Sequence, residues 1–454
     1  MLLDMVHSRL TKEHQASKIL KKPTLISKGL IFVLACLLVC TVFYDTLKDC
    51  IEKKCIWCVW RCKVKLLVIG CGQCGGRVAD EFARLNKVAH IQRGVSIVTN
   101  VIAVNTDVAD LSGLFYIKSD FQHRVLIGGK KTGGHGAGKM NEIGAEIASE
   151  DGDKIIESIR ATDKLPETDA LLLIAGAAGG TGSGSISVLT QQLKERYIDK
   201  PIYNLIVLPF KYEEMTEERS IYNVGTCLKS SYLVADAVFL VDNQRFVRKN
   251  VSIRNNLAKI NYLVVRPFYN LLCAGEETNA KYIGSKVLDA GDIVQTLAGW
   301  SVIGYGRERI RRVKLPFEKS SDFRDKSSGT QKGIQAIDEA MGELSLKCNP
   351  TDARKALYLL TSPPEDMSMD LIKELSASLK CMATEAIIRS GDYPRGKGSL
   401  DITVILSELI NSRKVMDYFT KAINQISVAK RRQGGIEWEH RGMEEAFKDI
   451  PSLL

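Results

Sequence analysis

The ten residues Ala175–Gly184 have a composition suited to binding a phosphate group. Five of them are glycine and three are alanine, so almost no side chain separates the backbone from a ligand. Glycine adopts positive φ freely and lets another molecule approach the main chain closely. The apolar run Leu171–Ile174 precedes this segment, and a helical pattern from Ser185 to Tyr197 follows it. Because backbone N–H groups at a helix N-terminus bind anions, this order of strand, loop and helix predicts a phosphate cradle.

Two alternatives to this cradle use the same kinds of residue. A tight strand-to-helix turn without a ligand also needs glycines. The pattern Gly70-x-Gly72-x-x-Gly75 matches the fingerprint of NAD-dependent oxidoreductases, which makes that class the second alternative. An oxidoreductase requires an acidic residue at the end of the second strand and no second phosphate loop, whereas this chain has a second glycine-rich loop. A Walker A loop is excluded, because Ser185 stands where that motif requires Lys.

Strands alternate with helical patterns over residues 64–250, which predicts the α/β class with a parallel sheet and helices on both faces. A glycine cluster or an Asn/Asp cluster follows several of these strands. Since ligands bind outside the carboxyl ends of parallel strands, we expect the clusters to form one site. The apolar runs that predict strands are Val64–Ile69, Val101–Val104, Val125–Ile127, Leu171–Ile174, Ile202–Leu208 and Ala237–Val241.

The remaining chain predicts a long connecting helix and a second, smaller domain. Residues 251–276 are mostly apolar and predict the helix, although Pro267 should kink it. Residues 277–428 alternate again between strand and helix patterns and predict an α+β domain. Within them the polar residues 313–330 predict a surface loop, and the charged tail 429–454 predicts poor order.

The hexapeptide Gly179–Gly184 is the loop by which the tubulin and FtsZ family of GTPases is recognised. The chain resembles this family from about Val64 to Ile426, and three more segments are similar to its nucleotide-binding loops. The carboxyl-terminal part resembles the CetZ group of archaeal members in Gly304–Gly306, Ala356–Pro364 and Arg389–Pro394. In chain order, the first, second, third and fourth loops are Gly72–Gly75, Asn105–Asp107, His135–Gly138 and Gly179–Gly184.

The resemblance implies that GTP or GDP is the ligand, with Mg²⁺ held through the phosphates and no metal ligand from the protein. It implies that the third loop wraps the terminal phosphate and that Glu218 and Arg219 contact the ribose. Asn243 is implied to pair with guanine, since an amide offers a donor and an acceptor together. The residues implied to bind GTP are Gly72, Gln73, Cys74, Gly75, Asn105, Asp107, Gly136, Ala137, Gly138, Gly179, Gly180, Thr181, Gly182, Ser183, Gly184, Glu218, Arg219 and Asn243.

The catalytic acid is implied to come from another subunit, because the nucleotide pocket of this family lacks one of its own. Val287–Asp292, here called the acidic loop, resembles the loop that supplies it, with Asp289 and Asp292 at the acidic positions. A carboxylate that accepts a hydrogen bond from water can orient that water for attack. Val287 stands where FtsZ usually has Asn, so the hydrolysis rate or water geometry is expected to differ. Helix capping is the structural alternative for both aspartates.

Composition excludes several other classes. The chain is 45% hydrophobic and 26% charged, and its net charge of +10 forms no basic stripe with aromatics, which argues against nucleic-acid binding. Eight of the 12 cysteines lie between Cys36 and Cys74, which is no disulfide framework and favours a reducing compartment. Cys55-x-x-Cys58 has no partnered His or second well-spaced pair that would make it a zinc site.

The amino-terminal residues 1–63 have two explanations. Gly29–Tyr44 is uncharged over 16 residues, slightly short for a membrane-spanning helix but sufficient with interfacial flanks. Alternatively, Val64 stands where a family member would begin with Met, and the extension results from a misassigned start. The resemblance therefore implies a cytoplasmic GTPase that polymerises head to tail and acts in cell shape control or division. A non-polymerising GTP-binding regulator, attached to the inner face of the membrane through residues 29–44, is the alternative.

Overall fold

The computed structural model describes residues 65–217, 219–247, 252–310, 322–395, 398–432 and 450–454. These residues belong to one compact unit that begins at Cys62. Gly29–Tyr44 lies outside them, and none of the helices within them has both the length and the apolar character needed to cross a bilayer.

The strands of the described residues form a single mixed sheet. Its spatial order is β3-β2-β1-β4-β5-β6-β7-β10-β8-β9. Neighbours from β3 to β7 are parallel, β10 is antiparallel to β7 and β8, and β9 returns parallel to β8. The strands are β1 Leu66–Cys71, β2 Val98–Asn105, β3 Arg124–Leu126, β4 Ala170–Gly176, β5 Ile202–Leu208, β6 Ala237–Asp242, β7 Gly299–Arg309, β8 Ala353–Ser362, β9 Ile387–Pro394 and β10 Ser399–Leu409.

Helices cover both faces of this sheet, as the class requires. In the described residues they are α1 Gly72–Arg93, α2 Val108–Ser112, α3 Gly129–Thr132, α4 Asn141–Arg160, α5 Thr181–Arg196, α6 Lys211–Thr216, α7 Ser220–Val234, α8 Ile253–Glu276, α9 Ala290–Thr296, α10 Asp322–Gly342, α11 Met369–Met382 and α12 Arg413–Arg432.

The core has two layers because successive strand side chains point to opposite faces. Leu67 and Ile69 of β1 pack with α4, α5 and α7, whereas Leu66 and Val68 pack with α1 and α8. All six residues of β1 are buried, as in a parallel strand covered on both sides. The predicted α/β class, with helices on both faces of a parallel-dominated sheet, is confirmed.

The parallel strands end together at one edge of the sheet. Cys71, the last residue of β1, pairs with Val104 near the end of β2 and with Ala175 near the end of β4. Leu208, the last residue of β5, pairs with Asp242, the last residue of β6. The loops that follow these strands therefore leave the sheet at the same edge, here called the carboxyl edge. The opposite edge is called the amino edge.

Helix α8 carries the chain from the carboxyl edge to the amino edge. Its 24 residues span about 36 Å at 1.5 Å per residue. Asn270, in its last two turns, accepts a hydrogen bond of 2.9 Å from Arg93, the last residue of α1. Because α1 starts at the carboxyl edge with Gly72, this contact locates the end of α8 at the amino edge. Pro267 lies inside the helix without ending it.

Three expectations for the carboxyl-terminal part need correction. Residues 322–330 of the predicted surface loop form the first turns of α10 rather than a loop, and residues 313–321 lie outside the described residues. Helix α12 runs to Arg432, past the expected start of the tail. Residues 450–454 of this tail pack on α7: Ile450 is 1% exposed, and Leu453 N donates to Ser230 Oγ at 2.9 Å.

We predict that Ile450→Ala lowers the free energy of unfolding by about 2–5 kcal/mol, since it removes a fully buried side chain from the core. The Ile450 side chain packs near Gly225 of α7, and the backbone carbonyl oxygen of Ile450 accepts a hydrogen bond from Lys229. Urea unfolding of the full chain measures the change. Leu454→Ala is the control, because Leu454 is 47% exposed. Equal midpoints for both variants would contradict the docking of this segment.

Candidate functional site

The first and fourth loops meet at the carboxyl edge, where α1 and α5 begin. Neither helix has a side-chain cap or an acidic residue in its first turn. Gly72 has a φ of +70°, and a Cβ on it would lie 2.8 Å from the nitrogen of Gly182. A helix N-terminus carries unpaired N–H groups and the positive end of the helix dipole. Two such ends in contact create a site that favours an anion.

The third and fourth loops interlock through their backbones. A Cβ on Gly180 would lie 2.9 Å from the nitrogen of Met140, the residue that precedes α4. A Cβ on Gly184 would lie 2.1 Å from the carbonyl oxygen of Asn141. Only glycine permits this approach of α4 to α5. The glycines of the fourth loop therefore have a packing role in addition to the predicted role in binding.

The second loop is tied to the third and the fourth. Asp107 and His135 form an antiparallel bridge, and Gly136 N donates to Thr106 O at 3.2 Å. The hydroxyls of Thr106 and Thr181 lie 2.6 Å apart, and both residues are buried. A side-chain hydrogen bond thus links Thr106 to Thr181, which lie 75 positions apart in the chain. The structure brings all four predicted loops to one place.

Asp110 links the first loop to the second. Its carboxylate accepts hydrogen bonds from Gln73 Nε2 at 2.6 Å and from Asn105 Nδ2 at 3.1 Å. Asp107 caps α2 by accepting from the nitrogens of Ala109 at 2.8 Å and Asp110 at 3.1 Å. The two predicted polar residues, Gln73 and Asn105, are therefore oriented by a carboxylate that the sequence analysis did not identify.

The loops leave open space in front of the start of α5. A Cβ on Gly138 or Gly179 would meet no atom within 4 Å. Gly136 and Gly138 have φ values of +85° and +57°, in the region that favours glycine. The third loop therefore adopts backbone conformations that favour glycine, and its Ala137 is buried. Because Gly138 and Gly179 carry no side chain, main chain rather than side chains borders the open space at these two positions.

Cys74 of the first loop is a structural rather than a reactive thiol. Burial raises the pKa of Cys74 and of neighbouring Cys71 to about 12. Because the thiolate is the nucleophilic form, both side chains stay protonated and unreactive at neutral pH. A Cβ on Gly176 would lie 2.9 Å from Cys74 Cβ, so the first loop packs closely on the end of β4.

Asn223 of α7 holds the third and fourth loops in place and was missed by the sequence analysis. Its Nδ2 donates to the carbonyl oxygens of Lys139, Ala178 and Gly179 at 2.9, 3.0 and 3.2 Å. Asn223 is fully buried, and Lys139 has a φ of +59°, unusual for a residue with a Cβ. Sequence offers little signal here, because the three partners lie 44–84 positions away.

We predict that Asn223→Asp weakens GTP binding roughly 10- to 100-fold, the equivalent of about 1–3 kcal/mol. The change replaces the donor by a carboxylate that repels three carbonyl oxygens and the ligand's phosphates. Titration with a fluorescent GTP analogue measures the loss. Gln191→Glu is the matched control, since it makes the same change on the exposed face of α5. An unchanged affinity would show that Asn223 does not set the loop geometry.

Arg219 and Asn243 lie at the same edge, on the side of α7 and β6. Arg219 forms an ion pair of 2.6 Å with Glu142, in the first turn of α4. Asn243 is 9% exposed and begins the short helix that follows β6, where Asp242 supplies the cap. Contact of Arg219 with a ribose thus competes with its pairing to Glu142. Glu218 lies outside the described residues.

The acidic loop lies at the other edge of the sheet. Helix α9 ends three residues before Gly299, which pairs with Ala237, the first residue of β6. Asn243 follows the last residue of the same strand. Strand β6 has six residues and is about 20 Å long at 3.3 Å per residue. The residues that follow α9 and the residue Asn243 therefore lie at opposite ends of β6, about 20 Å apart.

Both predicted acids make contacts within this chain. Asp289 is the N-cap of α9 and accepts a hydrogen bond of 2.6 Å from Asp292 N. Asp292 Oδ1 lies 2.5 Å from Arg389 Nη1, and the two side chains are 31% and 32% exposed. Helix capping, the structural alternative, is thus observed for Asp289, while the carboxylate of Asp292 pairs with Arg389 and stays partly exposed.

Family models match nearly the whole described chain. The model "Tubulin/FtsZ family, GTPase domain" matches residues 65–250, and "Tubulin-like CetZ, C-terminal domain" matches residues 250–424. A solved structure of FtsZ from M. jannaschii is 20% identical and superposes with a TM-score of 0.59 over 79% of this chain and 95% of its own. The fold and the two family models therefore define a protein of the tubulin and FtsZ class.

More similar relatives narrow this assignment. "Tubulin-like protein CetZ1" of Haloferax volcanii is 32% identical over 389 residues, which are 82% of this chain and 95% of the relative. "CetZ1 from Haloferax volcanii - GDP bound monomer" has a TM-score of 0.68 at 30% identity and covers 80% of this chain and 99% of its own. "CetZ2 from Haloferax volcanii - GTPgS bound protofilament" has a TM-score of 0.69 at 27% identity, with 81% and 100% covered. The chain belongs to the CetZ group of the tubulin and FtsZ family, and the predicted resemblance is confirmed.

Proposed function

We propose that this chain binds GTP, hydrolyses it and polymerises head to tail into filaments. The observation that supports this most is the placement of the acidic loop and the four loops at opposite edges of one sheet. A carboxylate at that distance does not reach a nucleotide in its own subunit. Copies stacked in one orientation bring the amino edge of one against the carboxyl edge of the next. Contacts of this heterologous kind continue into an open filament when their rotation does not close.

GTP is the ligand that fits the carboxyl edge in this proposal. The uncapped starts of α1 and α5, and the glycine backbone of the third loop, suit a triphosphate. The buried amide of Asn243 suits the edge of a purine. The relatives named as GDP-bound and GTPγS-bound support guanine nucleotides, and the protofilament of CetZ2 supports self-association.

Mg²⁺ fits this site through the phosphates rather than through a protein cage. The described residues contain no group of three or more His, Cys, Asp or Glu side chains able to share a metal ion. Asp107 is the carboxylate that borders the third loop. Its Oδ2 would lie 3.8 Å from a Cβ placed on Gly136. It is the residue we propose beside a phosphate-bound Mg²⁺. The ion would neutralise phosphate charge.

Hydrolysis in this proposal uses residues of two subunits. The four loops of one subunit hold the triphosphate by backbone N–H groups and fix the terminal phosphate in position. Asp292 of the next subunit accepts a hydrogen bond from the attacking water and orients it, and Asp289 stabilises the turn that presents Asp292. Neither subunit hydrolyses GTP at full rate alone.

GTP turnover measured against protein concentration tests this proposal. We expect turnover per molecule to rise more than proportionally with concentration and then to level off, in step with light scattering under GTP and Mg²⁺. A constant turnover per molecule would overturn the shared site. GTP binding and hydrolysis without any scattering would instead support the non-polymerising regulator. A screen that compares binding of GTP with binding of NAD(H) tests the oxidoreductase alternative, which binding of GTP without NAD(H) would exclude.

The cellular role that follows from this proposal is a cytoskeletal filament in cell shape control or cell division. Whether the filament is free or bound to a membrane depends on whether residues 29–44 are part of the protein that assembles in the cell. Imaging of the tagged chain, with and without residues 29–44, measures this. Loss of a membrane-associated pattern in the shorter form would assign a membrane role to that segment.

A further inference from the structure

The edge strand β9 forms the surface on which the acidic loop is held. The Asp392 carboxylate is buried and accepts hydrogen bonds from the nitrogens of Ser285 at 2.8 Å and Lys286 at 2.6 Å. Asp392 N in turn donates to Lys286 O at 3.0 Å. A buried carboxylate that receives two backbone N–H groups is a strong fixed point for a loop. The chain entering the acidic loop is therefore anchored to β9.

Close packing continues this anchor toward the aspartates. A Cβ on Gly391 would lie 2.5 Å from Leu288 Cγ, so the buried Leu288 of the acidic loop rests directly on the strand. Lys286 Nζ donates to Ser390 Oγ at 2.8 Å. Three consecutive residues of β9, Ser390 to Asp392, thus each contact the segment that leads to Asp289.

Arg389, the next residue of β9, reaches the acid itself. Its Nη1 lies 2.5 Å from Asp292 Oδ1, and its Nη2 donates to Gln295 Oε1 at 2.5 Å. A guanidinium presents these donors in a planar fork, so two contacts fix the orientation of the group as well as its charge. Asp292 and Gln295 lie three positions apart on α9 and face the same direction. The fork therefore fixes the rotamer of Asp292 at the amino edge.

This pairing also matters electrostatically. In the proposed assembly, two carboxylates approach the triphosphate of the neighbouring subunit, and charges of one sign repel at short distance. Arg389 is one-third exposed beside Asp292 and offsets one of these negative charges. The effect is larger at a closed interface than on the free surface, because solvent screens an exposed pair.

We propose that Arg389 is a positioning residue for hydrolysis, which holds Asp292 in the orientation that presents it to the neighbouring subunit's nucleotide. This inference rests on the proposed function. The motif Arg389–Pro394, which resembles CetZ proteins in sequence, then acquires a mechanical role: Ser390–Asp392 anchor the acidic loop, and Arg389 orients its acid.

Arg389→Gln tests this inference in the full chain, with Arg354→Gln as the matched control. Arg354 is exposed on the neighbouring strand β8, so the control removes the same charge from the same domain. We expect Arg389→Gln to lower GTP turnover per assembled subunit roughly 10- to 100-fold, since misplacing a catalytic group by about 1 Å costs rate on that scale. GTP affinity of the dilute protein should not change, because the four loops lie at the other edge. Arg389→Lys should recover part of the turnover through its charge.

Separate measurements of pelleted filament mass and turnover distinguish the outcomes. Turnover per assembled subunit that equals that of the original chain overturns the inference, even where less filament forms. Failure of Arg389→Lys to exceed Arg389→Gln overturns the role of the positive charge. A chain whose turnover never depends on concentration overturns the proposed function and this inference together, whereas normal concentration dependence with an inert Arg389 removes only the inference.

Discussion

Asp292→Asn is expected to lower GTP turnover in filaments by roughly 100- to 1,000-fold, while GTP affinity stays unchanged. The amide has the shape of the carboxylate and still accepts a hydrogen bond from Arg389, so the acidic loop keeps its contacts. It loses the negative charge and the basicity that orient the attacking water in the proposed mechanism. Because Asp292 lies at the amino edge, the nucleotide loops of the same subunit are not disturbed. Phosphate release from pelleted filaments measures the effect.

Mixing two impaired variants, at a GTP concentration that fills the original nucleotide site but not the weakened site of Asn223→Asp, tests whether the site is shared. Asp292→Asn keeps an intact nucleotide site, and Asn223→Asp keeps an intact acid. In a random mixed filament, roughly one interface in four joins an intact nucleotide site to an intact acid, so turnover should recover toward a quarter of the original level. A site complete within one subunit gives no recovery in the mixture. That result would disprove the shared mechanism, whatever the activity of each variant alone.

The strand pattern and the meeting of the four loops could be predicted from local sequence. Ile202–Leu208 is an apolar-rich run, broken only by Asn204 and followed by Pro209, and the structure has β5 with the same bounds. Parallel strands that alternate with helices direct their following loops to a common edge. Predicting the site then required only that Gly72–Gly75 and Gly179–Gly184 follow neighbouring strands, as they do.

Other features depend on contacts that no local pattern encodes. Strand β9 contains Arg389, Ser390 and Asp392 and begins with an exposed Ile387, so it lacks the alternation of a buried strand. Its polar residues instead serve the acidic loop, about 100 positions earlier in the chain. Ile450 is one of several apolar residues scattered through a charged tail without a regular spacing, and its burial depends on the surface that α7 offers. Tertiary contacts determine such positions, whereas propensity does not.

Gly184→Ala is expected to lower the free energy of unfolding by about 1–3 kcal/mol and to abolish most GTP binding. The new Cβ would lie 2.1 Å from the carbonyl oxygen of Asn141 and 2.7 Å from the nitrogen of Ala145. Both atoms belong to the backbone of α4, which cannot rotate away as a side chain does. The two helices must therefore separate, which displaces the third loop from the start of α5. Urea unfolding without nucleotide and titration with GTP measure the two effects.

Gly179→Ala in the same loop separates packing from binding. Gly179 has a φ outside the left-handed region, and a Cβ on it meets no atom within 4 Å. The unfolding midpoint of the Gly179→Ala variant without nucleotide should therefore equal that of the original chain. The same methyl group occupies open space in the loop that we propose binds the phosphates, so GTP affinity should fall although the fold is intact. If Gly179→Ala bound GTP normally, the phosphate would lie elsewhere. If Gly184→Ala unfolded normally, the close crossing of α4 and α5 would be wrong, and the fourth loop would be a binding element only.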